Sequence, residues 1–425
     1  MSAKVEARGP RVVAGQPHGP AAAVTRRASD RLRAGHLWVY RSDVESLVPP
    51  IGATEIAGGT LVTVMDSRGI PLGTGLYSAA SQIAVRMVSA EVALTRDAYI
   101  EELRERVLAA LALRENVAPE SMENDACRLV FSEADGLPGI VADRYNDLVI
   151  LQLLTQGTAQ EDVRAVLTDV FRERLGPATI VERPDPKIRE IEQLAAPSAG
   201  PLYSEGGGSL KLTTIFTING LRFHYDAGSG QKTGAFLDQR LNYAAAARYA
   251  RGSALDICTY QGGFAIHMAQ HCRQVTGVDA SRSALEVADR NLDLNPELAA
   301  RLQWIEADAF ELLREYEARG ERYDTIVLDP PAFAKSKRAA EGAMRGYKEL
   351  NLRAMKMLRP GGTLVTCSCS HHVPLEEFTA VVAAAASDAG RRVQVLEIRG
   401  AAPDHPAVLT LPETSYLKCL ICRVG

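Results

Sequence analysis

Two short segments hold residue types that could make and break covalent bonds. Thr366-Cys367-Ser368-Cys369-Ser370-His371-His372 closes one apolar run, and Asp329-Pro330-Pro331-Ala332-Phe333 closes another. A cysteine thiolate can add to C6 of a pyrimidine, which turns the poorly nucleophilic C5 into an enamine-like carbon. That chemistry needs the thiol at the ligand mouth, with its ordinary pKa of about 8.5 lowered or its proton removed by a base. Cys367 and Cys369 stand two apart, so on a strand they share a face. Cys369 lies nearer the C-terminal end by roughly 6–7 Å of strand rise and is the expected nucleophile. Cys367 is expected to pack as a small buried hydrophobe. In the second segment two prolines hold an extended loop, so that Asp329 can face a flat ring. A close N/D-P-P-aromatic pattern serves exocyclic amines, but here Ala332 intervenes before Phe333. The Cys and His residues are also zinc-ligand types. Zinc sites typically pair cysteines two to four residues apart with a second pair elsewhere, and no metal is expected. Cys419 and Cys422, three apart on a strand, point to opposite faces. The His371-His372 pair could cap the following helix or contact phosphate.

Such residues act only where a scaffold gathers them. From about residue 217 the chain alternates strand-like runs (254–258, 274–279, 302–308, 323–329, 363–369 and 393–398) with helical stretches. This predicts a mostly parallel, doubly wound α/β sheet. The last run, 416–424, follows its predecessor through a loop, which leaves room for it to run antiparallel. Ligands of such sheets bind beyond the C-terminal strand ends. There the sequence places Asp256 and the Gly262-Gly263 turn, then Asp279, Asp308 and Asp329. Neither G-x-G-x-x-G nor G-x-x-x-x-G-K-[ST] is present, which disfavours dinucleotides and nucleoside triphosphates. S-adenosylmethionine carries no phosphate; it needs a glycine turn, an acid for its ribose diol and a polar group for its adenine. Gly262 and Gly263, Asp279 and Asp308 supply these in order. A Gly-Gly pair alone is ordinarily a turn, and an Asp at a strand end is ordinarily a helix cap. The ordered set carries the assignment.

Residues 22–92 read as short strands joined by turns, a small barrel. Arg26, Arg27, Arg31 and Arg33 precede His36-Leu37-Trp38-Val39-Tyr40. Basic side chains beside aromatic ones suit an RNA backbone and stacked bases, and equally a solvated charge run with Trp38 in the core. Residues 93–215 combine two helical stretches with three short strands around 126–154 and an extended segment at 178–183. The chain has 425 residues, 46% of them hydrophobic, with a net charge of −4. Bulk disorder and a uniformly basic nucleic-acid coat are thereby excluded, though not a local basic patch. No run approaches the ~18–20 apolar residues of a spanning helix, so no membrane partner is expected. Seven scattered cysteines fit thiols in a reducing cytoplasm rather than a disulfide scaffold. The first 21 residues lack an apolar core and read as a disordered leader, with a transit peptide as the alternative.

Taken together, HLWVY (36–40), EADGLPGIVADRYNDLVILQLL (133–154), QKTGAFLDQR (231–240), DPPAFAKSK (329–337), RGYKELN (345–351), CSCS (367–370), DHP (404–406) and YLKCLICRV are distinctive. The chain resembles the bacterial 23S ribosomal RNA cytosine-5 methyltransferases over nearly all of 22–425. The resemblance implies a multidomain protein with boundaries at 22–92, 93–215 and 216–425. These would be an N-terminal PUA β-barrel, a small α/β middle domain and a Rossmann-like class I methyltransferase domain. It implies S-adenosyl-L-methionine as donor, Cys369 as nucleophile and Asp329 at the target base. It also implies Gln239 and Arg240 as cofactor contacts, and Lys335 and Lys337 as RNA contacts alongside the N-terminal arginines. The expected partner is 23S ribosomal RNA or a large-subunit assembly intermediate, with a homodimer left open. Two other readings are guanine-N7 methylation of ribosomal RNA, which needs no cysteine at this strand end, and a non-catalytic RNA-binding assembly factor.

Overall fold

The computed structural model describes residues 19–197, 200–207, 211–228, 235–333 and 340–425. Most of the leader, residues 231–234 of QKTGAFLDQR, and both Lys335 and Lys337 lie outside these. The C-terminal part is built on a seven-stranded sheet. We number its strands in chain order: β1 (Gly252–Ile257), β2 (Cys272–Asp279), β3 (Leu302–Glu306), β4 (Tyr323–Leu328), β5 (Leu358–Ser368), β6 (Val393–Arg399) and β7 (Lys418–Val424). Their spatial order is 3-2-1-4-5-7-6. Strands β1 to β5 pair parallel, and β7 runs antiparallel to both β5 and β6.

Neighbouring residues of each central strand feed opposite faces, because side chains alternate across a strand. Ala254 and Val327 join the core under helices Arg240–Tyr249 and Gly263–Ala269. Leu255 and Ile326 join the core under Ala309–Ala318, Ala340–Met357 and Leu375–Asp388. Burial on both faces explains the nearly continuous apolar runs of β1 and β4. The crossover from strand 1 outward in both directions brings the C-terminal ends of β1, β2 and β4 together at the switch point.

The N-terminal part is a six-stranded mixed sheet around a small core of Val24, Val39, Val62, Val64 and Val85. The N-terminal arginines sit on the helix Arg26–Arg33, whose first turn is capped by Thr25. The middle part is a five-stranded sheet covered by helices Arg96–Val117 and Glu161–Leu175. The predicted boundary after residue 215 falls inside the strand Thr213–Ile218, which forms a hairpin with Leu221–Asp226. Phe216 and Phe223 of that hairpin share a core with Tyr145 of the middle sheet and with β1. The hairpin therefore ties the two parts together and belongs wholly to neither. No helix among the described residues is long and apolar enough to cross a membrane.

Candidate active site

The loop after β1 is held in an uncommon conformation. Cys258 and Tyr260 have φ of +63° and +52°, a backbone region that costs a non-glycine residue about 1–2 kcal/mol. The strain is restrained by two bonds: Thr259 N donates to Val278 O and Tyr260 N donates to Asp279 Oδ2, both at 2.9 Å. Asp279 Oδ1 accepts from Ser281 N at 2.8 Å. Each carboxylate oxygen has a second lone pair, so the group can still receive a diol. Gly262 takes φ +86°, and a Cβ there would meet Trp304 Cη2 at 2.9 Å. A Cβ at Gly263 would meet Tyr243 Cζ at 2.5 Å. The glycines are thus required by the protein's own packing. Any cofactor contact they make is through their backbone.

The four strand-end acids converge. Asp279, Asp329, Asp256 and Asp308 all act, after burial itself, to push the Cys258 thiol well up. Asp256 is fully buried and raised to about 7, mainly by desolvation. Thr259 Oγ1 donates to its Oδ2 at 2.6 Å, and the Ala265 N–H also bonds this carboxyl. The Trp304 indole N–H at the same loop is buried without a partner among the described residues. An unpartnered indole N–H, a ribose-competent carboxylate and a strained loop together fit a nucleoside ligand such as S-adenosylmethionine. Asp308 is chiefly a helix cap: its Oδ1 accepts from Phe310 N and Glu311 N at 2.9 and 3.0 Å.

At the adjoining strand ends stand the groups that could act on a base. Asp329 lies just past β4, its N–H bonded to Ile257 O at 3.2 Å. Its carboxyl is raised to about 8, first by burial and then by the charges of Asp238 and Asp256. Gln239 Nε2 donates to Asp329 Oδ2 at 3.0 Å, and Gln239 Oε1 accepts from Asn242 Nδ2 at 2.7 Å. Gln239, expected at the cofactor, is thus bonded to Asp329. Arg240 is not: its guanidinium is buried and faces Asp404 at 3.3 Å. Asp404 also accepts from Arg128 N at 3.0 Å, so Arg240 braces the middle part against the catalytic sheet.

Cys367 lies in β5 opposite Cys419 of β7, fully buried, and burial drives its thiol well up. Cys369 is one residue beyond the end of β5 and half-buried. The seven cysteines, all among the described residues, form no disulfide. Tyr347 holds the turn around Cys369: its hydroxyl bonds Ser368 Oγ and Ser370 Oγ, each at 2.9 Å. The Phe333 ring packs on Tyr347 at 4.9 Å, linking the Asp329 loop to the same support. Lys418 Nζ donates to Ser370 O and Tyr416 O, both at 2.7 Å. Tyr416 OH donates to Asp238 Oδ2 at 2.5 Å. Sequence reasoning assigned no role to Tyr347, Lys418, Tyr416 or Asp238. A lone lysine inside the apolar YLKCLICRV was a usable signal; for the others the signal is tertiary. The His pair does not cap the next helix, whose N-cap is Pro374. His371 Nδ1 instead lies 3.1 Å from Glu413 O.

Among the arginines, Arg26 points outward, with its side chain 91% exposed. Arg27 and Arg31 bind the buried Asp43 at 2.8 and 2.6 Å, and Arg33 binds the buried Asp66 at 2.6 Å. Much of this charge is thus neutralised within the N-terminal part. Residues 36–40 reach the far end of the chain, with His36 Nε2 3.8 Å from Glu413 Oε1. The N-terminal face and the Cys369 mouth are therefore linked through the 405–416 segment.

Residues 23–90 match the PUA-like domain family, and residues 197–420 match the S-adenosylmethionine-dependent methyltransferase family. The chain is 36% identical over 395 residues to Ribosomal RNA large subunit methyltransferase I of Klebsiella pneumoniae (strain 342), covering 92% of this chain and 94% of that protein. It is 35% identical over 410 residues to the protein of the same name from Salmonella newport, covering 96% and 98%. A solved putative methyltransferase complexed with SAH superposes with a TM-score of 0.77 at 18% identity, over 94% of this chain and 99% of that one. A putative S-adenosylmethionine-dependent methyltransferase from Streptococcus mutans gives a TM-score of 0.76 at the same identity and coverage.

Proposed function

Because the chain belongs to the ribosomal RNA large subunit methyltransferase I family, S-adenosylmethionine-dependent enzymes with a PUA-like domain, we propose that it methylates C5 of a cytosine in that RNA. The observation that carries this reading is the half-buried Cys369, set just past the end of β5, the parallel neighbour of the strand β4 that leads into Asp329. Large-subunit ribosomal RNA, naked or within an assembling particle, is the partner, and the cytoplasm is the expected place of action. The reading does not require a second copy of the chain.

Cys369 Sγ adds to C6 of the cytosine, forming an S–C6 bond, and the C5–C6 π pair moves onto C5. Asp329, protonated at neutral pH, supplies a proton to the N3 edge as that happens, and Gln239 then steadies the carboxylate. S-adenosylmethionine supplies an electrophilic methyl, whose bond to sulfur breaks as C5 takes it. Transfer of the C5 proton to water then restores the C5=C6 bond and expels the thiolate, and N3 returns its proton to the Asp329 carboxylate. Cys367, locked against Cys419, contributes packing only. Asp279 receives the ribose diol, and Asp256, Asp308 and the Gly262-Gly263 backbone complete the cofactor pocket.

The test uses RNA carrying 5-fluorocytosine, whose C5 has no proton to lose. The unmodified protein should form a complex that survives a denaturing gel, and Cys369→Ala should not, while still binding S-adenosylmethionine. Cys367→Ala should keep the adduct. The opposite pattern moves the nucleophile to Cys367. If neither cysteine affects methylation, guanine N7 replaces cytosine C5 as the target. A chain that does not bind S-adenosylmethionine is an RNA-binding assembly factor.

A further inference from the structure

Lys418 is a buried cation that the proposed reaction leaves unused. It is only 7% exposed. Its ammonium has three donors; two go to the carbonyls of Ser370 and Tyr416. No carboxylate among the described residues pairs with it. A buried charge without a counter-ion is expensive, so a purely structural role would be better served by a neutral donor. Desolvation lowers Lys418 to about 8, and the negative charge of Cys369 raises it, so each group lies in the other's field. The geometry agrees: the ammonium sits on the carbonyl of the residue next to Cys369, and consecutive Cα atoms are about 3.8 Å apart.

We propose that Lys418 is the cation that keeps Cys369 as a thiolate before the target base arrives. It acts through Cys369 and is therefore a positioning and charge-setting residue. The inference rests on the reading of Cys369 as nucleophile. The other groups facing this pair do not supply the same charge. Tyr347 and Tyr416 are both raised and stay neutral at pH 7. Asp238, bonded to Tyr416, bears the wrong sign, and Asp329 is largely protonated at pH 7. Arg128 faces Tyr416 but is bound to Asp143. The His371 ring packs tilted on Tyr416 at 5.3 Å, and its Nδ1 lies within hydrogen-bond distance of Glu413 O. Cys367 and Cys419 are buried on the other side of the β5–β7 ladder.

The experiment is iodoacetamide alkylation of the full chain across pH 5–10, with the Cys369 peptide followed by mass spectrometry. In the unmodified protein, Cys369 should react with a midpoint below the ordinary thiol value of about 8.5. Lys418→Gln keeps a donor for the carbonyls but removes the charge. It should raise that midpoint by about one pH unit or more, the usual effect of a neighbouring opposite charge. Alkylation at pH 7 then slows about tenfold, and Lys418→Arg should restore most of it. Superimposable curves for Lys418→Gln and the unmodified protein overturn the proposal. If the Gln variant does not fold, a midpoint at or above about 8.5 in the unmodified protein overturns it without any variant. The fluorocytosine adduct is scored separately. A missing adduct with a lowered Cys369 midpoint removes the nucleophile assignment and leaves the Lys418–Cys369 pair standing.

Discussion

Asp329→Asn isolates a proton from a shape. Asparagine keeps the side-chain outline and can still accept from Gln239 Nε2, which lies at 3.0 Å, but it has no acid proton to give. Burial, with Asp238 and Asp256 nearby, moves the carboxyl from 3.8 to about 8. Discounted for its partly exposed side chain, that shift disfavours the ionised form by about 3–5 kcal/mol relative to the unfolded chain, and it places the midpoint above neutral pH. Most Asp329 is therefore protonated at pH 7. As Cys369 bonds to C6, N3 becomes more basic, and this carboxyl is placed to protonate it. General-acid help of this kind is worth about 10²- to 10⁴-fold. The Asn variant should lose that factor in single-turnover methylation with labelled S-adenosylmethionine, while cofactor affinity stays within about twofold. The acid form is the active one, so the rate of the unmodified enzyme should fall as pH rises through about 8. Lys418 titrates in the same range, so the comparison is repeated with Lys418→Arg, whose guanidinium does not titrate there. A carboxyl raised in the folded state favours folding below its unfolded value of 3.8 and loses that contribution as pH climbs to about 8. The Asn variant should consequently melt higher than the unmodified protein at pH 9. Activity within tenfold of the unmodified enzyme, or an alkaline limb unchanged by the substitution, would refute the assignment.

Asp279→Ala should weaken S-adenosylmethionine binding by about 1.5–3 kcal/mol, the usual cost of losing hydrogen bonds to a charged group; unchanged affinity in calorimetry removes Asp279 from the pocket. Arg26→Ala should lower RNA affinity and flatten the salt dependence by about 0.9 in log–log slope, with the melting temperature unmoved; an unchanged slope makes Arg26 a solvated charge. Arg33→Ala should behave differently, because it takes from the buried Asp66 a partner at 2.6 Å. Asp66 retains Arg68 at 3.3 Å and two backbone donors, so the expected effect is a loss of about 1–2 kcal/mol in denaturant unfolding, and an undiminished stability would show that Arg68 suffices.

The strand–helix alternation, the acids at successive strand ends and the cysteine past the fifth strand were legible in the chain, because local periodicity reports which face is buried. Buried parallel strands must be apolar on both faces, and the chain must turn at their ends, so Asp256, Asp279, Asp308 and Asp329 fall where a ligand can reach them. Local reasoning could not see what depends on distant partners. Arg27, Arg31 and Arg33 read equally as an RNA patch or a solvated charge run, and only folding brought Asp43 and Asp66 under them. The resemblance implied Arg240 as a cofactor contact, and its partner Asp404, 164 positions away in sequence, is adjacent only in space. Tyr347 carries no local signature of its task, since a tyrosine in a helix is ordinary, and Lys418 stood out only as a lone lysine inside an apolar strand. What makes them matter is the β5–β7 pairing and the packing of helix Ala340–Met357, which bring a hydroxyl and an ammonium onto the residues flanking Cys369. Sequence by itself determined which chemistry was available and at which strand ends. Only the tertiary structure decided which charges remained for that chemistry, because burial and pairing set a group's protonation and its reach, and both are properties of neighbours far along the chain.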